Sequence, residues 1–262
     1  VSDRKRPNIL LIVADDLGKA EVSAYGLRNL KTPNIDKIAE EGVLFTDCYV
    51  TSPLCSPSRA GILTGRYPTR FGFETQLMEY YPKNKLVYSV GKNIIKTDFN
   101  VLDTDPVYPP KKEILKQGIP PSEINIAEFL KTRNYNTAWI GKWHNGSSPE
   151  LIPGNRGFDY CFGFYGGFTL YTEKHDTPGV VNHIQDIFTS KYQWKIGRKG
   201  TSAIRRNDTI IDEKRYLTDA ILDEAIGYMK ANKNKENPFF MYLSFNAPHV
   251  PFQAPQAYYR SE

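Results

Sequence analysis

Cysteine is scarce in this chain: three residues in 262, and the number is odd. Cys48, Cys55 and Cys161 leave at least one thiol outside any internal disulfide, which excludes a disulfide-built scaffold. A Cys48–Cys161 bridge is allowed, but nothing in the sequence forces it. Long apolar runs are missing too, and no stretch approaches the ~20 residues of a helical membrane span. Charge of one sign is not concentrated. Lys and Arg number 34 against 29 Asp and Glu, a net +5, and the densest basic runs (Arg4–Arg6, Lys195–Lys199, Lys230–Lys235) are short and scattered. Such runs read as solvated loops and helix ends rather than a nucleic-acid surface. The small excess does raise the local concentration of anionic ligands. No leader sequence opens the chain; Val1 to Arg6 is polar and basic, so the protein is either cytosolic or has had its signal removed.

What is present is a globular composition, 40% hydrophobic and 24% charged, in a chain long enough to bury one large core. The 18 prolines and 19 glycines fall in turns and loops rather than in a repeat. Asn8–Ala14 (NILLIVA) is a continuous apolar run, which predicts a strand buried on both faces of a parallel sheet. Thr32–Gly42 predicts a helix that turns Ile35, Ile38 and Ala39 inward, and Ser56-Pro57 starts a second helix running towards Gly65. From Tyr67 to Gly118 no period is sustained, as in a surface or substrate-facing insertion. Pro121–Arg133 reads as a helix capped by Ser122 with Ile126, Phe129 and Leu130 inward. Thr137–Gly141 reads as a short strand and Gly157–Gly167 as a glycine/aromatic loop. Tyr216–Lys230 is the clearest amphipathic helix, burying Leu217, Ile221, Leu222, Ala225, Tyr228 and Met229, and Phe239–Phe245 is a third buried strand. Strands alternating with helices predict an α/β, doubly wound, mostly parallel sheet flanked by helices.

Three of these strands deliver acid or base residues at their carboxyl ends. Asp15-Asp16 follows the first, Lys142 and His144 the second, and His249 comes shortly after the third. Ligand sites of open parallel sheets collect at that end, so the three segments point to one shared site.

Cys55-Ser56-Pro57-Ser58-Arg59, followed by Thr64-Gly65, resembles without departure the signature C-x-P-S-R…T-G of the formylglycine-dependent sulfatases, which have an alkaline-phosphatase-like fold. Pro7–Gly18 (PNILLIVADDLG), Gly141-Lys142-Trp143-His144 and Pro248-His249-Val250-Pro251-Phe252 resemble three further elements of that family. Asn145-Gly146 stands where the family usually has Leu-Gly, a change that bears on local packing. The resemblance runs from Pro7 to about Gln253 and implies a sulfuric-ester hydrolase, most simply acting on a sulfated carbohydrate such as a carrageenan or a glycosaminoglycan. A phosphonate or phosphate monoester hydrolase on the same scaffold is the first rival, and a non-catalytic anion-binding module the second.

In that family the cysteine is oxidised by a formylglycine-generating enzyme to 3-oxoalanine, whose hydrate carries two hydroxyls. One attacks sulfur and expels the alcohol, and the other then ejects sulfate by collapse to the aldehyde. By resemblance, Arg59 steadies the modified Cys55, Lys142 holds sulfate, His144 is the base for the collapse, and His249 binds sulfate and protonates the leaving oxygen. Asp15, Asp16 and the modified Cys55 are implied ligands of a divalent ion, Ca2+ or Mg2+. Read from residue chemistry alone, adjacent carboxylates after a buried strand need a cation or cationic side chain between them, and an oxygen-only set suits those hard ions. An N-cap with an exposed neighbour is the plainer alternative for the pair.

Family members also carry a second metal pair, Asp-Asn, then a lysine and a smaller C-terminal domain. None is visible before Glu262, so residues 1–262 read as an incomplete N-terminal catalytic domain with too few ligands to hold Ca2+ tightly. A periplasmic or secreted location is expected. His175 and His183 fit no motif and read as loop histidines, whereas Trp139 and Trp143 read as core. Asn145-Gly-Ser and Asn207-Asp-Thr fit the N-glycosylation pattern, but a glycan beside His144 would obstruct the site, which argues against the first.

Overall fold

The computed structural model describes residues 6–26, 30–77, 86, 89, 116–174, 176–183 and 193–259. Its main sheet has six strands in the order β1-β7-β2-β3-β5-β6, where β1 is Ile9–Asp15, β2 Asn136–Lys142, β3 Tyr160–Phe164, β5 Arg205–Arg206, β6 Thr209–Ile210 and β7 Phe239–Pro248. The first four in that order are mutually parallel, and the short β5–β6 hairpin adds antiparallel to β3. A separate antiparallel ribbon pairs β4, Val180–His183, with β8, Phe252–Pro255.

Alternation along the central strands sorts side chains into two cores, as a pleat of period two requires. Trp139, Cys161, Phe240 and Tyr242 face one core, where helix α2 (Cys55–Thr64) contributes Ala60 and Leu63, and helix α3 (Ile126–Lys131) contributes Ala127 and Leu130. Ala138, Ile140, Phe162, Met241 and Leu243 face the other, against Leu217, Ala220, Ile221 and Ala225 of helix α4, Leu217–Asn232. Helices on both faces of a mostly parallel sheet give the doubly wound architecture that the sequence predicts.

Several local expectations change. β1 is not buried on both faces. Among the described residues it pairs with β7 alone and no element covers its outer face, and Leu10 and Ile12 are 42% and 49% exposed. Helix α1, Pro33–Glu41, forms where expected but buries nothing; Ile35 and Ile38 are exposed and Ala39 is half-buried. Helix α2 begins at Cys55 itself, with Leu54 as its N-cap, rather than at Ser56-Pro57.

Helix α3 is shorter than 121–133. Asn125, not Ser122, caps it, because its side chain accepts the N–H groups of Ala127 (2.8 Å) and Glu128 (3.2 Å) while Glu128 reaches back to the Asn125 N–H. Phe129 consequently points out, as does Leu222 on α4. The supposed loop at 157–167 contains β3, whose glycine lies between aromatic residues. His183 sits on β4, not in a loop, and His175 lies outside the described residues. The aperiodic 67–118 segment also lies largely outside them. Cys48 is exposed and Cys161 buried, and all three cysteines are free thiols. Trp139 and Trp143 are core residues, packed edge to face at 5.9 Å.

Candidate active site

The carboxyl ends of β1, β7 and β2 lie side by side, and a bulge decides what meets there. From the pair Val13↔Ser244 to the pair Asp15↔Pro248, β1 advances two residues and β7 advances four. The extra length on β7 swings the chain so that His249 arrives beside Asp15. Irregular ladders commonly re-aim side chains next to sites in this way. A four-residue turn follows, closed by the His249 N–H donating to the Asn246 carbonyl at 2.9 Å.

One ligand atom from each of Asp15, Cys55 and His249 falls within 4.8 Å of the others. Asp15 is the hub. Its Oδ1 forms an ion pair with Arg59 Nη2 at 2.8 Å and its Oδ2 accepts from Lys142 Nζ at 2.5 Å, with all three side chains buried. Burial alone would raise the Asp15 carboxyl, but Lys142, then Arg59 and His249, outweigh it and hold it at about 2. Asp16 is placed differently from the expectation that pairs it with Asp15. Its side chain is 63% exposed, its φ is 62°, and its Oδ2 lies 3.7 Å from His249 Nε2. It stands outside the three-residue cluster, whereas His249, expected only as a catalytic group, stands inside it.

Cys55 occupies the first turn of α2, so the helix amino terminus and its partial positive charge are aimed at the cluster. Arg59, one turn further on, uses its other nitrogen, Nη1, to donate to the Lys142 carbonyl at 3.1 Å, to Tyr242 Oη at 3.3 Å and to Ser244 Oγ. A guanidinium tied to β2 and β7 fixes α2 against the sheet. Gly61 lets the segment before α2 lie close against the helix, because a Cβ there would sit 2.1 Å from Thr51 Oγ1. Gly141 is equally constrained: its φ is +118° and a Cβ would lie 1.9 Å from the Ser244 carbonyl oxygen.

Lys142 ends β2 fully buried, and His144 follows at φ 53°, its N–H donating to the Tyr165 carbonyl at 3.1 Å. Burial, reinforced by Lys142, Arg59 and His249, drives the His144 imidazole well below its ordinary value, so it is neutral at physiological pH. His249 is also pushed down, by burial and then Lys142, against the opposing pull of Asp15, the Val250 carbonyl and Asp16. Its Nδ1 lies 2.7 Å from the Val250 carbonyl oxygen and donates to it, leaving Nε2 towards the aspartates. Asn145 is fully buried, its Nδ2 donating to the Trp143 carbonyl at 2.8 Å, so its place in a glycosylation pattern has no surface to act on.

Sequence reasoning missed Tyr242 and Ser244, which anchor Arg59. Their only signal was alternation within β7, which could separate the faces of the strand but not single out its polar members.

The sulfatase family model matches residues 7–262. The chain belongs to the sulfatase family. It is 33% identical over 251 residues to the N-acetylgalactosamine-6-sulfatase of Homo sapiens, covering 95% of this chain and 40% of that one. To the arylsulfatase of Klebsiella aerogenes it is 30% identical, over 97% of this chain and 45% of the relative. Among solved structures, Ps i-CgsB in complex with k-i-k-neocarrahexaose is 35% identical with a TM-score of 0.70, covering 96% of this chain and 47% of that one. The chain thus spans a little under half the length of these sulfatases.

Proposed function

We propose that the protein hydrolyses sulfate esters of carbohydrates, with Cys55 converted to formylglycine as the nucleophile. The observation that carries this reading is the convergence of Asp15, Cys55 and His249 within 4.8 Å, with Arg59 and Lys142 on the Asp15 carboxylate. An acid, two fixed cations and a side chain at a helix amino terminus form a compact receptor for a small anion. The names of the relatives support sulfate over phosphate, and the N-acetylgalactosamine-6-sulfatase and the neocarrahexaose complex support a sugar as the alcohol, whereas the arylsulfatase is named for an aryl ester.

The chemistry of the donor set fits a divalent cation. Asp15 stays ionised, Asp16 offers a second carboxylate nearby, and oxidation of Cys55 replaces a soft sulfur by hard oxygens. Asp15, Asp16 and the modified Cys55 would hold Ca2+ or Mg2+, which when bound polarises the sulfuryl oxygens. Formylglycine supplies a geminal diol, one hydroxyl for attack and one for release.

The remaining work belongs to the chain's own side chains. Arg59 holds Asp15 and α2 in register, and Lys142 presents a buried ammonium to the sulfate. His144, kept neutral by its surroundings, accepts the proton from the second hydroxyl as sulfate departs. His249 carries a proton on Nε2 to the leaving oxygen; an anionic ester bound against that ring opposes the downward push of burial and favours its imidazolium form.

A formylglycine-generating enzyme is the required maturation partner, and the proposal includes a periplasmic or secreted location, which fractionation of the source cells tests. The activity is tested by comparing the sulfate and the phosphate ester of one alcohol as substrates for protein co-expressed with that maturation enzyme. Preferred turnover of the sulfate is expected. Preferred turnover of the phosphate would transfer the protein to the monoester phosphohydrolases.

A further inference from the structure

Tyr171 matches none of the sequence motifs, yet it is buried (2% exposed) and its hydroxyl lies 2.8 Å from the Asn246 carbonyl oxygen and 2.7 Å from the His249 carbonyl oxygen. Those carbonyls are the two ends of the turn that carries His249, and the first also accepts the His249 N–H. One phenol proton is thus shared across the turn and ties both corners to a single point.

That point is itself fixed from every side. The Tyr171 N–H donates to Gln253 Oε1 at 2.8 Å, and its carbonyl accepts from the Leu217 N–H at 2.7 Å and from Arg198 Nη2 at 2.8 Å. The ring stacks on Tyr216 with centroids 5.7 Å apart and planes 22° apart. Burial, with Tyr216 alongside, raises the phenol above its ordinary value, so the hydroxyl remains a neutral donor. Gln253 closes the far end of the same loop on β8, its Nε2 donating to Thr172 Oγ1 and Asn182 Oδ1. The stretch from the end of β7 into β8 is therefore clamped at 246, 249 and 253 by the segment around Tyr171.

We propose that Tyr171 is the positioning residue for His249, its hydroxyl holding the 246–249 turn so that the imidazole Nε2 stays aimed at the cluster of Asp15 and Cys55. The clamp deepens the sulfatase reading, on which its kinetic consequence rests. Without the hydroxyl the turn keeps its own hydrogen bond but loses its anchor, and the imidazole samples orientations away from the leaving oxygen. Loss of one buried hydrogen bond sets the scale of the effect, about tenfold. It should fall on the step that needs His249, not on binding.

The test uses the complete, matured gene product with Tyr171→Phe, which keeps the ring and its stack. Tyr216→Phe serves as a control that removes a different hydroxyl from the same stack, one donating to the Gln253 carbonyl. Each is assayed with an alkyl sulfate, a poor leaving group, and an activated aryl sulfate, alongside His249→Ala and the Tyr171→Phe/His249→Ala pair. Tyr171→Phe is expected to lower kcat about tenfold on the alkyl sulfate with KM nearly unchanged. It should spare the aryl sulfate and add nothing in the His249→Ala background, while Tyr216→Phe matches the parent on both substrates.

If His249→Ala discriminates between the substrates and Tyr171→Phe does not, or if the two substitutions are fully additive, the proposal is overturned. If His249→Ala is itself indifferent to the leaving group, the sulfatase role of His249 fails instead. The clamp is then decided by the rate of His249 carbethoxylation by diethyl pyrocarbonate, mapped by mass spectrometry. A severalfold rise in Tyr171→Phe sustains it, and an unchanged rate overturns it.

Discussion

Asp15→Asn removes one negative charge from a place where two cations depend on it. Lys142 is fully buried and Arg59 is 2% exposed, and each binds one oxygen of that carboxylate. Breaking a buried ion pair from one side costs about 3–5 kcal/mol, because the partner stays buried without its counter-ion. At about 2–4 °C per kcal/mol for a protein of this size, the melting temperature should fall by roughly 6–20 °C. Thermal unfolding followed by circular dichroism at neutral pH measures this directly, with no need for activity.

Lys142→Met in the Asp15→Asn background should recover part of the loss, since one cation then no longer lacks a partner. The pH dependence has a definite sign. The Asp15 carboxyl is depressed from its ordinary 3.8 to about 2, so its contribution, about 2.5 kcal/mol, is fully present above pH 3.8 and lost as pH falls through 2. The stability difference between parent and Asp15→Asn should therefore shrink within that window. A variant melting within about 2 °C of the parent at neutral pH would refute the claim that this carboxylate neutralises Lys142 and Arg59.

Three other outcomes follow from the same geometry. His249→Ala should widen the gap in rate between sugar and aryl sulfates, and His144→Ala should narrow it and produce a burst of alcohol release, read by stopped-flow or quench kinetics; equal losses on both substrates without a burst would reduce both histidines to sulfate ligands. Gly141→Ala should yield little or no folded protein in an expression and circular dichroism comparison, since its Cβ would lie 1.9 Å from the Ser244 carbonyl oxygen at a φ of +118°. Chelation of the complete protein should abolish turnover and lower the melting temperature, because an ion bound only by the folded state stabilises it; an unchanged melting curve would argue against a resident cation.

The sheet and the site were legible in the sequence for different reasons. β2 and β7 are apolar runs closed by polar residues, and Lys142, His144 and His249 lie at or just past their carboxyl ends in both readings. The C-x-P-S-R segment marked a helix from Ser56-Pro57, one residue late, and its spacing set Arg59 one turn past Cys55. What failed depended on neighbours. The apolar run in β1 says nothing of how many strands flank it, and Ile35 and Ile38 on α1 have the right period but face no described element. The arrival of His249 beside Asp15 follows a bulge between β1 and β7, a shift of register that composition does not encode. Tyr171 was invisible because its role is carried by two carbonyl oxygens some 75 and 78 residues away along the chain.

The central claim is that Cys55 becomes the nucleophile of a sulfate-ester hydrolase, and peptide mapping of active protein by mass spectrometry tests it most directly. The peptide containing Cys55 should be lighter by the difference between a thiol and an aldehyde, in proportion to specific activity across preparations of different maturation, with Cys48 and Cys161 unchanged. Full sulfatase activity in a preparation whose Cys55 is entirely an unmodified thiol would contradict the account.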